Sequence, residues 1–201
     1  MRRRKSFALA MILVLAGLAP AVFSRGSDTT SKPAPAGTSR AERGKYLVTI
    51  MGCNDCHTPW KMGANGVPEP DMSRMLSGHP ETMKLPPPPA PSGPWLAAFA
   101  ATQTAFAGPW GVSYAANLTP DKNTGLGSTW TEELFIKALR TGKHFGTSRS
   151  IQPPMPWYWT NKATDADLKA IWVYLQTIPA VVNHVPDYQE PPAPKPAPEK
   201  K

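Results

Sequence analysis

Two cysteines and a histidine stand close enough in this sequence to hold one cofactor. The run Cys53-Asn54-Asp55-Cys56-His57 has C-x-x-C-H spacing, and these are the two cysteines of the 201-residue chain. Thiols at this spacing can add to the two vinyl groups of one porphyrin, and the adjacent imidazole can then ligate the iron. The pattern predicts one haem c, bound covalently through Cys53 and Cys56, with His57 as an iron ligand.

Three other roles for these residues are weaker. A thioredoxin-like dithiol is disfavoured because no βαβ pattern surrounds the motif. A structural zinc site requires four ligands, and the sequence has no second C-x-x-C and no H-x₃₋₅-H. A disulfide across two residues closes a loop too small to stabilise the fold much. The dithiol role also leaves the adjacent His57 unexplained.

The N-terminus has the features of an export signal. Four basic residues at 2–5 precede an apolar run from Phe7 to Leu18. This arrangement predicts a signal peptide at 1–24, with an uncleaved anchor as the alternative, although the run is short for a membrane span. Export predicts a periplasmic protein, soluble or anchored by its N-terminus. Free thiols tend to oxidise there, whereas haem attachment consumes both.

Charge and proline content indicate the domain organisation. Four of the 22 basic residues lie in the signal, so only a mild excess over the 14 acidic residues remains. No stretch of sequence interleaves basic and aromatic residues, so a nucleic-acid partner is not expected. Prolines concentrate at 31–36, 85–94 and 191–198. These features predict a flexible linker at 25–38, a haem domain at 39–185 containing a long loop insertion at 61–109, and a disordered tail at 186–201.

Capping residues and apolar spacing predict three helices. Ser39 and Glu42 form a capping-box pattern, and Thr131 and Thr164 precede apolar stripes at helical spacing. The helices should begin at Ser39, Thr131 and Thr164, and should end before Gly52, at Arg140 and before Pro179. The segment from Trp95 to Ala100 fits either a helical turn or a short hairpin. The predicted fold class is all-α.

A second iron ligand is expected from a methionine or a histidine. The candidates are Met62, Met72, Met75, Met83, Met155, His79, His144 and His184. Met155 is favoured because the prolines on both sides hold its loop stiffly, so that a thioether is presented at small entropic cost. The alternative role for Met155 is to fill a gap in the core.

Five stretches carry a resemblance to a known family. They are 52–59, 117–121 with 124–127, 130–135 with 138–140 and 142, 154–157, and 164–171 with 174–175. The chain resembles class I-type bacterial cytochromes c, specifically the cytochrome domains of periplasmic alcohol, aldehyde and gluconate dehydrogenase complexes. The resemblance implies a monohaem cytochrome c fold, in which the first and last helices cross beside the haem. It also implies His57 and Met155 as axial ligands, and Asn117 and Trp130 against the haem. Those subunits usually carry several haem domains, whereas this sequence has one C-x-x-C-H.

These features together predict a carrier of single electrons between a donor dehydrogenase and a respiratory acceptor. A haem with both axial positions filled has no open site for substrate, so the chain is not expected to be an enzyme, although it could be a subunit of one. The alternative is a haem-based gas sensor or haem enzyme with a displaceable sixth ligand, in which His144 near Arg149 is a distal polar group. Contact with a membrane is expected only through a retained N-terminal anchor.

Overall fold

The computed structural model describes residues 39–89 and 94–192. The predicted signal peptide (1–24) and linker (25–38) lie outside these ranges. In the described part, five α-helices form at Arg40–Ile50 (α1), Cys53–His57 (α2), Glu132–Thr141 (α3), Trp157–Thr160 (α4) and Asp165–Leu175 (α5). Within the described ranges, no helix is long and apolar enough to cross a membrane.

The all-α prediction is wrong, because two small antiparallel sheets form within and directly beside the predicted loop insertion at 61–109. Five strands are present there: β1 (Trp60–Met62), β2 (Pro68–Pro70), β3 (Ala98–Phe99), β4 (Ala105–Gly108) and β5 (Gly111–Tyr114). Strand β1 pairs with β2, and β4 lies between β3 and β5. The ladders satisfy backbone groups that a long loop without helical spacing would otherwise leave unpaired. The segment from Trp95 to Ala100, which fitted either a helical turn or a short hairpin, contains strand β3.

The three predicted helices are confirmed, and their caps explain where they begin. The Ser39 hydroxyl accepts from the Glu42 amide at 3.1 Å, and the Glu42 carboxylate accepts from the Ser39 amide at 2.7 Å. Thr131 caps α3, and Gly142 ends it in the left-handed conformation at φ 65°. The Thr164 hydroxyl accepts from the Asp167 amide at 3.1 Å. Each cap satisfies amides that the first helical turn leaves unpaired.

Helices α1 and α5 pack closely at a glycine. A Cβ atom added to Gly44 would overlap the Ala170 carbonyl and the Tyr174 Cβ. The close approach of two backbones therefore requires glycine at this position. Arg43 Nε donates to Asp167 Oδ1 at 3.0 Å across the same helix pair. The first and last predicted helices thus pack together, as the resemblance implied, and the Ala170 carbonyl lies nearest to Gly44.

One hydrophobic core lies among these helices and the loop after α2. Its buried residues share apolar side chains and come from α1, α3, α5 and the loops between and after them. They are Leu47, Val48, Leu76, Leu126, Phe135, Leu139, Leu168, Ala170, Ile171, Leu175 and Ile178. Leu76 and Leu168 are fully buried.

The C-terminal arm, residues 180–192, lies across the loop that follows α2. The Asn183 amide nitrogen donates to the carbonyl oxygens of Ser77 at 2.7 Å and His79 at 2.9 Å. Farther along, Gln189 forms a bridge with Val112 of β5. The predicted tail starts at 186, so residues 186–192 belong to the described chain, and 193–201 lie outside it.

Candidate functional site

The two cysteines and His57 share helix α2, which a left-handed glycine sets off from α1. Gly52 has φ 68° and ends the turn after α1, and Asp55 N donates to its carbonyl at 3.0 Å. Both cysteines are free thiols and half-buried. Burial raises the pKa of Cys53 to about 11, and burial together with Asp55 raises the pKa of Cys56. Thioether sulfurs carry no charge, so covalent attachment suits this weakly polar position.

His57 is held in the orientation that a metal-binding imidazole needs. Its side chain is 9% exposed, and Nδ1 lies 2.8 Å from the carbonyl oxygen of Ala116. A carbonyl only accepts, so Nδ1 carries the proton and donates it, and Nε2 keeps its lone pair. Burial lowers the pKa of His57, which keeps the ring neutral. Among the described residues, Nε2 has no hydrogen-bond partner.

Two loops hold the carbonyl that orients His57. Gly78 N donates to the His57 carbonyl at 2.8 Å, and His79 N donates to the Ala115 carbonyl at 3.0 Å. Gly78 lies at φ 78°, and a Cβ there would overlap the backbone of Ala115 and Ala116. The segment 77–79 therefore connects helix α2 to the segment that carries Ala116. The sequence gives no signal for this contact, because any backbone carbonyl can accept a hydrogen bond.

Met155 is half-buried and packs against the same hydrophobic core as Cys53 of the C-x-x-C-H motif. The partly buried residues that pack against this core are Met51, Cys53, Met75, Leu118, Trp130, Ile136, Met155, Ala163, Trp172 and Tyr174. Met155 N donates to the Gln152 carbonyl at 3.3 Å. The Ser113 hydroxyl donates to the Pro153 carbonyl at 2.5 Å, which ties the proline-rich loop to β5. Cys53 and Met155 thus contact one shared hydrophobic cluster.

Side-chain exposure separates the other methionine candidates for the second iron ligand. Met62, Met72 and Met83 are 67%, 59% and 38% exposed. Met75 is half-buried against the core, as Met155 is. Met75 is therefore the remaining rival among the methionines that the sequence singled out.

The three other histidines are engaged in the fold or exposed. His79 is fully buried, with Nδ1 2.9 Å from the Thr104 hydroxyl and Nε2 3.3 Å from the Met83 carbonyl. Both of its ring nitrogens are therefore already used. The His144 ring packs against the Trp130 and Phe145 rings, with centroids 5.1 and 4.2 Å away. His184 is exposed on the C-terminal arm.

Trp130 and Asn117, the two remaining predicted contacts of the cofactor, occupy different environments. Trp130 is half-buried and packs against the same core as Cys53 does. Asn117 is 5% exposed, and its amide nitrogen donates to the Val181 carbonyl at 2.9 Å while its oxygen accepts from Thr119 N at 3.0 Å. Asn117 thus stabilises the loop that follows Ala116. Direct contact of Asn117 or Trp130 with haem stays a prediction.

The arrangement suits haem better than a metal held by protein ligands alone. In residues 39–89 and 94–192, no three or more His, Cys, Asp or Glu side chains lie together as a metal site. A haem iron needs only two protein ligands, because the porphyrin supplies the other four nitrogens. The oriented His57, the two free thiols beside it and a half-buried thioether at the same core fit this requirement.

Comparison with known proteins gives related sequences, and no protein-family model matches the chain. The chain is 29% identical over 170 residues to the fructose dehydrogenase cytochrome subunit of Gluconobacter japonicus, covering 85% of this chain and 27% of that protein. It is 34% identical over 81 residues to a nicotinate dehydrogenase subunit of Pseudomonas putida, covering 40% of this chain and 7% of that protein. It is 37% identical over 69 residues to the gluconate 2-dehydrogenase cytochrome c subunit of Pantoea cypripedii, covering 34% of this chain and 15% of that protein.

These relatives are dehydrogenase subunits, and two of them are cytochrome subunits. The chain is therefore similar to cytochrome subunits of dehydrogenase complexes. It spans only about a quarter of the length of the fructose dehydrogenase cytochrome subunit, at 27%.

Proposed function

We propose that the chain is an electron-transfer protein with one haem c, bound covalently through Cys53 and Cys56 and ligated by His57 and Met155. It carries single electrons from a dehydrogenase to a respiratory acceptor. The observation that carries the proposal is the buried His57 ring, whose Nδ1 donates to the Ala116 carbonyl at 2.8 Å while Nε2 remains available. Similarity to two cytochrome subunits supports the same function.

Each residue of the site has a separate task. A bound haem supplies reversible one-electron exchange. Cys53 and Cys56 fix the group to helix α2, and the Ala116 carbonyl orients His57 and increases its basicity as a ligand. Met155 is the second ligand, and a thioether ligand raises the reduction potential. The apolar core excludes water where Cys53 and Met155 pack against it.

In the gas-sensor or enzyme alternative, His144 was the candidate for a distal polar group. In the structure the His144 ring is packed between aromatic neighbours, at 4.2 Å from Phe145 and 5.1 Å from Trp130. Burial, and secondarily the charge of Arg149, lowers the pKa of His144. A neutral, packed ring favours a structural role for His144, so electron transfer remains the proposed function.

The partner and the compartment are proposed on different grounds. A dehydrogenase donor follows from the names of the relatives, which are subunits of fructose, nicotinate and gluconate dehydrogenases. Those substrates belong to the relatives, and the proposal for this chain extends only to a dehydrogenase partner. The periplasm is proposed from the signal-like sequence at 1–24.

Haem staining after denaturing electrophoresis tests the proposal. Wild-type chain produced with a haem-attachment system should keep its haem through acid–acetone extraction. Cys53→Ala and Cys56→Ala should each impair attachment, whereas Met83→Ala, an exposed control outside the motif, should stain like wild type. Haem that extracts freely from the wild-type chain would contradict covalent binding.

A further inference from the structure

The surface beside Met155 exposes two large aromatic side chains. Tyr158 and Trp159 of helix α4 are 52% and 70% exposed. Their neighbour Trp157 is half-buried and covers Gly142, where a Cβ would overlap the indole ring. Trp157 therefore holds α4 against the end of α3, while the next two residues face solvent. Exposed Trp and Tyr are typical of protein–protein contact sites.

The sequence around these aromatic side chains is rich in basic residues. From 134 to 164 the sequence contains five basic residues and no Asp or Glu: Lys137, Arg140, Lys143, Arg149 and Lys162. Arg140 pairs with Asp165 at 2.5 Å, and the other four are exposed. The segment that contains Met155 therefore holds five of the chain's 22 basic residues and none of its 14 acidic residues, which makes it strongly positive.

The backbone brings the basic and the aromatic residues to one surface. Lys143 forms a bridge with Ser150, and His144 N donates to the Arg149 carbonyl at 2.9 Å. These bonds hold Lys143 and Arg149 on one narrow loop next to Gly142, which Trp157 covers. Arg140 of α3 donates to the carbonyl of Asn161, the residue before Lys162. The loop after α3 and both ends of α4 are thus fixed to one another.

We propose that this surface docks a partner protein that exchanges electrons with the chain through an acidic contact face. We name it the basic aromatic face and define it by Tyr158, Trp159, Lys143, Arg149 and Lys162. Met155 and Tyr158 line one depression, so a partner seated here lies next to the proposed iron ligand. The inference rests on the proposed function and adds where the partner docks and which charge its contact face carries.

The charge pattern selects an acidic protein as the occupant. Clustered lysine and arginine side chains attract Asp and Glu from a distance and accelerate encounter, while the aromatic pair supplies a contact that excludes water. Another pair of exposed aromatic side chains lies in an uncharged stretch of sequence. Trp95 and Phe99 are 75% and 67% exposed, but residues 85–120 contain no charged side chain. Trp95 is therefore a matched control for Trp159.

The first test measures electron transfer to a blue-copper protein of net negative charge, by stopped flow, with haem-loaded full-length chain. The double variant Lys143→Glu/Arg149→Glu should lower the second-order rate constant at least about tenfold at low ionic strength, since steering changes on-rates by about 10–10³-fold. The difference should vanish near 1 M salt, where the screening length is about 3 Å. Lys45→Glu/Lys122→Glu, the same charge change at exposed sites elsewhere, should alter the rate far less.

The second test separates the aromatic contact from charge. Trp159→Ala should lower the rate constant about tenfold at every salt concentration, because an interface tryptophan is often a main contributor to affinity. Trp95→Ala should leave the rate constant unchanged. The neutral double variant Lys143→Gln/Arg149→Gln should fall between wild type and the charge-reversed protein.

Haem content, absorption spectrum and midpoint potential, measured first for every variant, distinguish the two proposals. A wild-type chain without haem would overturn the proposed function and the docking inference together. Haem-loaded variants with wild-type potentials and rate constants within twofold of wild type would overturn the docking inference alone. Charge-dependent binding to phosphatidylglycerol vesicles, combined with unchanged rates toward the copper protein, would also overturn it and would favour a membrane surface.

Discussion

Replacing Asn183 with alanine should weaken the attachment of the C-terminal arm to the loop that holds His57. Asn183 is fully buried. Its amide nitrogen donates to the Ser77 and His79 carbonyls at 2.7 and 2.9 Å, and its oxygen accepts from Arg74 and from Glu81 N, each at 3.0 Å. The substitution removes all four bonds and leaves their partners in place.

The expected loss of stability follows from the partners left unpaired. A buried donor or acceptor without a partner costs about 1–3 kcal/mol. Arg74 is half-buried and Glu81 is exposed, so water can replace part of what these two donors lose. We therefore expect Asn183→Ala to lower the free energy of unfolding by about 3–5 kcal/mol, a large share of the 5–15 kcal/mol typical of a domain.

Urea unfolding of the haem-loaded chain measures this loss. Val182→Ala is the control, since Val182 is the preceding residue and is 69% exposed. It should change the free energy by no more than about 0.5 kcal/mol. Asn183→Asp should also destabilise, because it places a carboxylate oxygen against two carbonyls. A loss below about 1 kcal/mol for Asn183→Ala, with an unchanged denaturant slope, would refute the reasoning.

Two further substitutions test the helix pair and the second ligand. Gly44→Ala should lower the free energy of unfolding by about 3 kcal/mol or more, because the new Cβ overlaps the Ala170 carbonyl. Gly66→Ala is the control, since Gly66 has φ 72° and a Cβ there would meet no atom within 4 Å. It should cost only about 1 kcal/mol in thermal or urea unfolding. Equal losses in the two variants would contradict the packing explanation. Met155→Ala should make the haem partly high-spin and lower its reduction potential, whereas Met75→Ala should do neither. The reverse pattern in absorption spectra and redox titrations would show that Met75, and not Met155, is the second iron ligand.

The helices could be predicted because their signals are local. Ser39, Thr131 and Thr164 each place a hydroxyl where the first turn needs an acceptor, and apolar residues follow at helical spacing. The structure has the capping bonds at all three positions. The pairing of the first and last helices came from the family resemblance, because a helical glycine such as Gly44 does not by itself specify which helix packs against it.

The sheets could not be predicted because their strands are too short to show a pattern. The strands are two to four residues long, which leaves little room for alternation of apolar and polar residues. Strand β2 begins and ends with proline, at Pro68 and Pro70, which argues against a strand in sequence reasoning. Pairing between β4 and β5 depends on contacts that the chain acquires only when it folds.

The site divides in the same way into local and distant features. C-x-x-C-H is contiguous, so Cys53, Cys56 and His57 could be named from spacing. Ala116, which orients His57, lies 59 residues farther along the chain. His79 was a ligand candidate by residue type alone, and only the fold shows that Thr104 and Met83 occupy both of its nitrogens.

Carbon monoxide binding to the reduced, haem-loaded chain at neutral pH tests the central claim most directly. If His57 and Met155 fill both axial positions, the reduced spectrum should stay unchanged on exposure to carbon monoxide. The same sample should titrate as one haem per chain in a reversible one-electron step. Rapid, stoichiometric carbon monoxide binding by the native protein would contradict the electron-carrier proposal and would favour a gas sensor or a haem enzyme.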